Sequence, residues 1–297
     1  MKTVTKAIIP VAGKGTRFLP ATKSVAKEMF PIVDIPALLL VLEECVYSGI
    51  KEVFIVLNKE KENIRNFLKR DPQTEKTLKE AGKLQLLDRL NFVIENLSFE
   101  FGYQDPKYYG SAIAVLPAKD WANNQPFAVL YPDDLNYTEK GKTPAIGQLI
   151  KAYEKYQGMI IGCKEIDSNE IYKYSACKIV KKEEDNVYRI NGIVEKPKTG
   201  EEPSCISGLA RYIMPENTFK YIEKQISDYF KGEIGLTDTM AMICQDSPSY
   251  AIIMDSIRYD TGDKYGYVTA VVEYALRNES FGEEFKQYLK NLVKSLD

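Results

Sequence analysis

The chain contains no histidine. That absence removes histidine general bases, Ser-His-Asp triads and the usual zinc ligand sets, and it shifts any catalysis toward lysine, arginine, carboxylates and hard metal ions. Cysteine is sparse. Cys45, Cys163, Cys177, Cys205 and Cys244 are scattered and never form a C-x-x-C pair, so they read as buried thiols of a reducing compartment. Long apolar runs are also missing. The stretch Ala7 to Ala12 breaks at Gly13, too short for a secretory signal or for a membrane span of around twenty residues. The cytoplasm is therefore the expected location, with no membrane partner. Charge of one sign is lacking as well. With 40 basic and 42 acidic residues the formal charge is -2, which gives no positive footprint for bulk nucleic-acid binding. A local basic pocket for one nucleotide remains open.

What is present is length and apolar content: 297 residues, 44% of them hydrophobic. That is enough for one large α/β domain or two ordinary ones. Lys6 to Ala12 reads as a fully apolar strand of the kind buried in a parallel sheet. A glycine-rich turn follows, then a helix from Ala37 to Ser48 with Gly49 at its C-cap. Val53 to Leu57 is a second buried strand, Glu60 to Arg70 a charged helix, Leu90 to Glu95 a third strand, and Gly110 to Leu116 the start of another helix. Phe127 to Tyr131 is a fourth strand and Ile146 to Tyr156 a helix. This alternation indicates βαβ units.

Beyond residue 158 the rhythm changes. Met159 to Cys163, Ala176 to Val180 and Val187 to Val194 are short β-rich pieces, expected to extend the edge of the first sheet as antiparallel or mixed strands. Thr218 to Phe230 and Thr237 to Cys244 read as helices, Tyr250 to Ile257 as a strand, and Tyr265 to Arg277 and Glu284 to Leu296 as terminal helices. The expectation is a single α/β domain over 1–297, with a Rossmann-like, mostly parallel central sheet and a β-rich elaboration.

The sharpest local feature is Val11-Ala12-Gly13-Lys14-Gly15-Thr16-Arg17. Two glycines directly after a buried strand let backbone N–H groups approach a phosphate or a base without an intervening Cβ. The turn is neither a dinucleotide G-x-G-x-x-G, since Phe18 holds the last position, nor a Walker motif. Arg17, Lys23 and Lys27 follow in a stretch marked by Pro20, Pro31 and Pro36, more consistent with an ordered loop than with a long helix. Basic residues held beside a glycine turn suit a polyphosphate clamp. A tight structural turn beside a solvated charge cluster is the alternative.

The segment GKGTRFLPATKSVAKEMFPIVDIP resembles the signature of the bacterial UTP–glucose-1-phosphate uridylyltransferases, within the sugar nucleotidyltransferase superfamily. Further matches follow in order at Gln104, Tyr131-Pro132-Asp133-Asp134, Val194-Glu195-Lys196-Pro197, Leu236-Thr237-Asp238 and Asp260-Thr261-Gly262-Asp263-Lys264-Tyr265-Gly266. The resemblance implies a nucleotide-diphospho-sugar transferase fold and the reaction of UTP with glucose 1-phosphate to give UDP-glucose and pyrophosphate. It implies Mg²⁺ held by Asp133 and Asp260. Ala12, Gly13, Gly15, Thr16, Gln104 and Gly110 would surround the nucleotide, with Arg17 and Lys27 on its triphosphate. Arg17, Lys27 and Asp133 would be the catalytic set. Asp134, Tyr174, Ser175, Glu195, Lys196 and Lys264 would serve the sugar phosphate. Residues 1–157 would mainly hold the nucleotide and 158–264 mainly the sugar and second metal ligand. The terminal helices at 265–297, with Val268, Val271, Val272, Ala275, Phe285, Tyr288, Leu289 and Leu292, would be available for a homo-oligomer contact.

Several positions depart from the family pattern. Ala26 replaces a proline and Ile35 a lysine. Tyr109-Gly110-Ser111-Ala112 stands where Leu-Gly-His-Ala is usual. Ser175 and Ala210 each replace a glycine near the expected sugar pocket. A uridylyl- or thymidylyltransferase for another hexose 1-phosphate stays open on these residues, as does a non-catalytic modulatory paralogue. A phosphate monoester is already an anion at neutral pH, so such a transfer needs no strong base. Positioning and charge neutralisation suffice, in accord with a chain that lacks histidine.

Overall fold

A computed structural model describes residues 3–228 and 232–296. Thirteen strands are assigned among them: β1 (Lys6–Pro10), β2 (Pro31–Ile32), β3 (Ile35–Pro36), β4 (Glu52–Leu57), β5 (Ser98–Tyr103), β6 (Phe127–Leu130), β7 (Asp134–Tyr137), β8 (Met159–Glu165), β9 (Ser175–Glu184), β10 (Val187–Glu195), β11 (Ile206–Met214), β12 (Ser249–Ile253) and β13 (Ile257–Asp260). Nine of them build one sheet in the order β5-β4-β1-β6-β11-β8-β12-β10-β9. The first four run parallel to one another. Antiparallel pairing begins where β11 joins β6 and recurs at β11/β8, β10/β12 and β10/β9. The sheet is thus the expected α/β architecture in mixed form, parallel in its N-terminal half.

Alternate residues of each central strand enter opposite cores, as a pleated strand requires. Ala7 and Ile9, Val53 and Ile55, and Ala128 and Leu130 pack on one face with helices Ala37–Tyr47 and Ala145–Tyr156. Ile8, Phe54, Val56, Phe127 and Val129 pack on the other with helices Thr218–Ser227 and Leu236–Asp246. Burial on both faces explains why these strands read as unbroken apolar runs. Four of the cysteines are buried free thiols, whereas Cys205 is exposed.

Some sequence expectations change. Leu90 to Glu95 is not a strand; it lies in the helix Asp88–Asn96, and the strand follows at β5. A short apolar run fits either period, and here Val93 alone is buried, on a helix face. Gly110 to Leu116 does not open a helix. Gly110 has φ +133, and the first helical residues are the short turns Leu116–Ala118 and Lys119–Ala122. Tyr250 to Ile257 divides into β12 and β13. The helix from Thr218 ends at Ser227; Tyr229 and Phe230 lie outside the described residues. Arg17 to Pro36 is an ordered loop of three short 3-10 turns and the β2–β3 hairpin.

Candidate functional site

The glycine turn leaves β1 at the end of the sheet where the parallel strands finish, the position at which open α/β sheets present ligand-binding groups. Its backbone is held from behind. Val11 N–H donates to Val56 O at 2.9 Å, Lys61 Nζ donates to Val11 O at 2.6 Å, and Asn58 Nδ2 donates to Ala12 O at 2.8 Å. Among the described residues, the N–H groups of Ala12, Gly13, Lys14 and Gly15 meet no protein acceptor. Four successive donors without a protein acceptor, with Gly15 in the left-handed region at φ +62, leave the turn with backbone N–H groups available to an anionic ligand.

Lys27 lies over this turn. Its Cε is 3.9 Å from where a Cβ on Gly13 would stand, and its ammonium is ion-paired to Asp133 Oδ2. Burial works to lower the Lys27 pKa, but the carboxylates of Asp133 and Glu28 outweigh it, so the group stands above the ordinary lysine value. The neighbouring Glu28 is 2% exposed and paired with Lys61 at 2.7 Å. Burial raises the Glu28 carboxyl and lowers the Lys61 ammonium, each partly offset by the other.

The two aspartates meet through a local pairing. β7 and β13 form an antiparallel ribbon in which Asp134 faces Asp260, so Asp133 is one residue from register with Asp260. Asp260 ends a strand here, rather than following one in a turn. A Cβ on Gly262 would lie 3.0 Å from Asp133 Oδ2 and 3.1 Å from Asp260 Oδ1, so the two oxygens are no more than about 6 Å apart. Arg17 reaches the same loop, donating from Nη1 to Gly262 O at 3.1 Å. The expected cluster of Gly13, Arg17, Lys27, Asp133 and Asp260 is thus brought together from three distant stretches of chain.

Asp134 is placed differently from its neighbour. It is buried, and Arg258 Nε donates to its Oδ2 at 2.7 Å. Burial raises its pKa, against the pull of Arg258. Its carboxylate is therefore committed to Arg258, which also lies 3.8 Å from Asp260 Oδ2. Arg211, fully buried on β11, donates from Nη1 to Asp134 O at 2.9 Å and to Tyr131 O at 3.4 Å. It thus holds both ends of the loop that carries Asp133.

Four of the sugar-phosphate candidates, Tyr174, Ser175, Glu195 and Lys196, lie at one end of the β9/β10 pair, where Ser175 is in register with Glu195. Lys196 N–H donates to Tyr174 O at 3.0 Å, and Glu195 accepts from Thr237 Oγ1 at 2.9 Å. Ser175 is absent from the positive-φ residues, and its hydroxyl donates to Gly208 O at 3.1 Å. Lys264 opens the helix Lys264–Leu276, capped by Asp263. Gln104 follows β5, its N–H bonded to Leu57 O at 3.0 Å. Gly110 is fixed by packing, because a Cβ there would overlap the Ile234 carbonyl.

Sequence reading did not single out Asn58, Lys61, Glu28, Arg211 or Arg258. Lys61 hid within a segment read as a charged helix, and Arg211 and Arg258 carried no local spacing signal.

With the geometry in place, comparison with known proteins decides the family. Residues 6–276 match the nucleotidyl transferase family. The chain is 37% identical over 292 residues to UTP–glucose-1-phosphate uridylyltransferase 2 of Staphylococcus saprophyticus, covering 98% of this chain and 99% of that one. It belongs to the UTP–glucose-1-phosphate uridylyltransferase family. Solved structures agree with that assignment. A UTP-bound UGPase from Acinetobacter baumannii superposes with a TM-score of 0.88 at 33% identity, covering 97% and 99% of the two chains. A UDP-glucose pyrophosphorylase complexed with UDP-glucose gives 0.82 at 29% identity, covering 93% and 100%. The uridylyltransferase fold therefore extends over the β-rich second half. No helix among the described residues is long and apolar enough to cross a membrane.

Proposed function

We propose that this chain transfers UMP from UTP to glucose 1-phosphate, releasing pyrophosphate and forming UDP-glucose. The observation that carries the reading is the free N–H run at Ala12–Gly15 beneath Lys27, facing two aspartates that share the Gly262 cradle. A phosphate oxygen of the sugar phosphate attacks the UTP α-phosphorus, one P–O bond forms, and the bond to the leaving pyrophosphate breaks. Lys27 and Arg17 offset the charge of the triphosphate and of the departing group, and the backbone donors fix the nucleotide. Glu195 accepts sugar hydroxyls, Lys196 and Lys264 approach the sugar phosphate, and Gln104 reads the base edge.

Enzymes of this class generally work with a divalent cation, and we assign it as Mg²⁺. Among the described residues no group of three or more Asp, Glu, His or Cys gathers at one point. The protein thus offers two carboxylates, and phosphate oxygens and water would complete an octahedron whose adjacent ligands lie about 3 Å apart. Asp133 and Asp260, whose nearest oxygens stand within about 6 Å of each other, fit that demand once their side chains turn toward a shared ion and Asp133 Oδ2 is released from Lys27. When bound, the cation would neutralise phosphate charge. The chain would act in the cytoplasm as a homo-oligomer, with residues 1–157 mainly serving the nucleotide and 158–264 mainly the sugar.

The test follows pyrophosphate release from UTP or dTTP with glucose, galactose and N-acetylglucosamine 1-phosphates. Glucose with UTP should lead, and EDTA should abolish turnover until Mg²⁺ is restored. A competitor sugar ahead by tenfold in kcat/KM, about 1.4 kcal/mol in transition-state binding, would reassign the substrate.

A further inference from the structure

We infer that Lys61 and Asn58 are positioning residues for the nucleotide, acting through the carbonyls of Val11 and Ala12 that they hold. The inference rests on the proposed use of UTP and deepens it. In a trans peptide the C=O and the following N–H point in opposite directions. Lys61 draws back the Val11 carbonyl at 2.6 Å, which turns the Ala12 N–H the other way. Asn58 draws back the Ala12 carbonyl at 2.8 Å, which does the same for the Gly13 N–H. These are the first two of the four donors that meet no protein acceptor. Without the two tethers, both peptide planes could flip and present carbonyl oxygens to an anionic or carbonyl-bearing ligand.

The tethers are built rigidly. Lys61 is 7% exposed and its second partner is Glu28 Oε2 at 2.7 Å. Glu28 adjoins Lys27, so the same ammonium that orients the turn also anchors the loop carrying the catalytic lysine. Asn58 is fixed in turn by its Oδ1, which accepts from Glu60 N–H at 2.9 Å. Both residues lie just past β4, whose parallel pairing with β1 sets their height against the turn. Neither needs to touch substrate to act.

The test compares wild type, Lys61→Met and Asn58→Asp in steady-state kinetics, with UTP binding by equilibrium dialysis in Mg²⁺ without sugar phosphate. Asn58→Asp keeps the acceptor for Glu60 and puts a carboxylate oxygen, charged and unable to donate, against the Ala12 carbonyl, so it stays informative where Lys61→Met, which strands buried Glu28, fails to fold. In folded variants KM and Kd for UTP should rise about tenfold, and in Asn58→Asp, which leaves the Lys61–Glu28 pair in place, kcat and KM for glucose 1-phosphate should stay within about threefold of wild type. A folded Asn58→Asp variant with wild-type KM for UTP would overturn the inference. So would a uniform fall in kcat with both KM values unchanged. A wild type that does not turn over UTP sinks the functional reading and this inference with it. A fully active wild type beside unaffected variants sinks the inference alone.

Discussion

Replacing Arg211 with methionine should destabilise the fold and loosen the loop that carries Asp133 together. Arg211 is fully buried and Glu44 is 8% exposed. The guanidinium donates to Glu44 from Nη2 at 2.7 Å and from Nε at 3.1 and 3.2 Å. Glu44 also accepts the Ile146 N–H at 2.8 Å, in the first turn of helix Ala145–Tyr156. Methionine fills similar space but leaves Glu44 as an uncompensated buried charge, at a cost of about 3–5 kcal/mol. Unfolding entropy of roughly 2.1 cal/mol/K per residue makes each kcal/mol worth about 1.6 °C for a chain of this length, so Tm should drop by about 5–8 °C. The Tyr131 and Asp134 carbonyls lose the guanidinium donor at the same time, so, with Mg²⁺ as the proposed cation, its concentration for half-maximal rate should rise. Adding Glu44→Gln removes the stranded charge and keeps an acceptor for Ile146, so the double variant should regain at least about half of the lost stability. An Arg211→Met protein within about 1 kcal/mol of wild type in guanidinium unfolding would refute the reasoning, because the buried carboxylate would then not depend on the guanidinium.

Three further outcomes are expected. Lys27→Met should keep the thermal stability close to wild type, since the side chain is partly open, yet lower kcat/KM by about 10²–10³ in a pyrophosphate-release assay; an undiminished rate would move that charge-stabilising role elsewhere. The pH profile should lack an alkaline limb through pH 9, because Lys27 stands above the ordinary 10.5 and stays protonated below it. On the acid side, kcat/KM for the sugar phosphate should fall below about pH 6 as the phosphate dianion takes up a proton and becomes a monoanion; an alkaline limb near pH 8 would point to a different essential acid. Sedimentation at micromolar concentration should give a mass above one chain. The C-terminal helices leave Tyr265 82% and Tyr288 58% exposed beside Val268 and Leu292, and a strictly monomeric mass would count against the oligomer.

The parallel half of the fold was readable because strands buried on both faces leave a plain apolar signature. β1, β4 and β6 all announced themselves in this way. β5 did not, since Ser98, Phe99, Glu100 and Phe101 alternate at a sheet edge with the amphipathic helix Asp88–Asn96 directly before them. β11 carries glycine, alanine and a buried arginine within its span, and its place between β6 and β8 depends on a long-range pairing. No local pattern reports such a partner. The same holds for the short β7–β13 ribbon, although that ribbon is what brings the two aspartates together.

The site divides along the same line. Residues proposed to touch ligand sit in compact motifs whose composition is unusual for a core or a surface, and these were legible. Residues that hold them are ordinary in sequence and become meaningful only through distant partners: Lys61 against Val11 and Glu28, Arg258 against Asp134, Arg211 against Glu44. The departures from the family pattern show the reverse case, in which an unusual residue proves easy to accommodate. Ala26 has φ -59 and ψ 135, values that proline itself adopts, so the loop keeps the expected conformation without the ring. Ser175 raised the question of whether a side chain in place of glycine would force the backbone to move. Its φ lies outside the left-handed region, so L-residues are tolerated there without strain. Its hydroxyl is spent on the Gly208 carbonyl inside the β9–β11 contact, and its backbone remains in register with Glu195. A serine so engaged adds no free polar group toward a sugar and leaves the neighbouring backbone where a glycine would leave it. That favours retention of glucose over a pocket enlarged for an N-acetyl group.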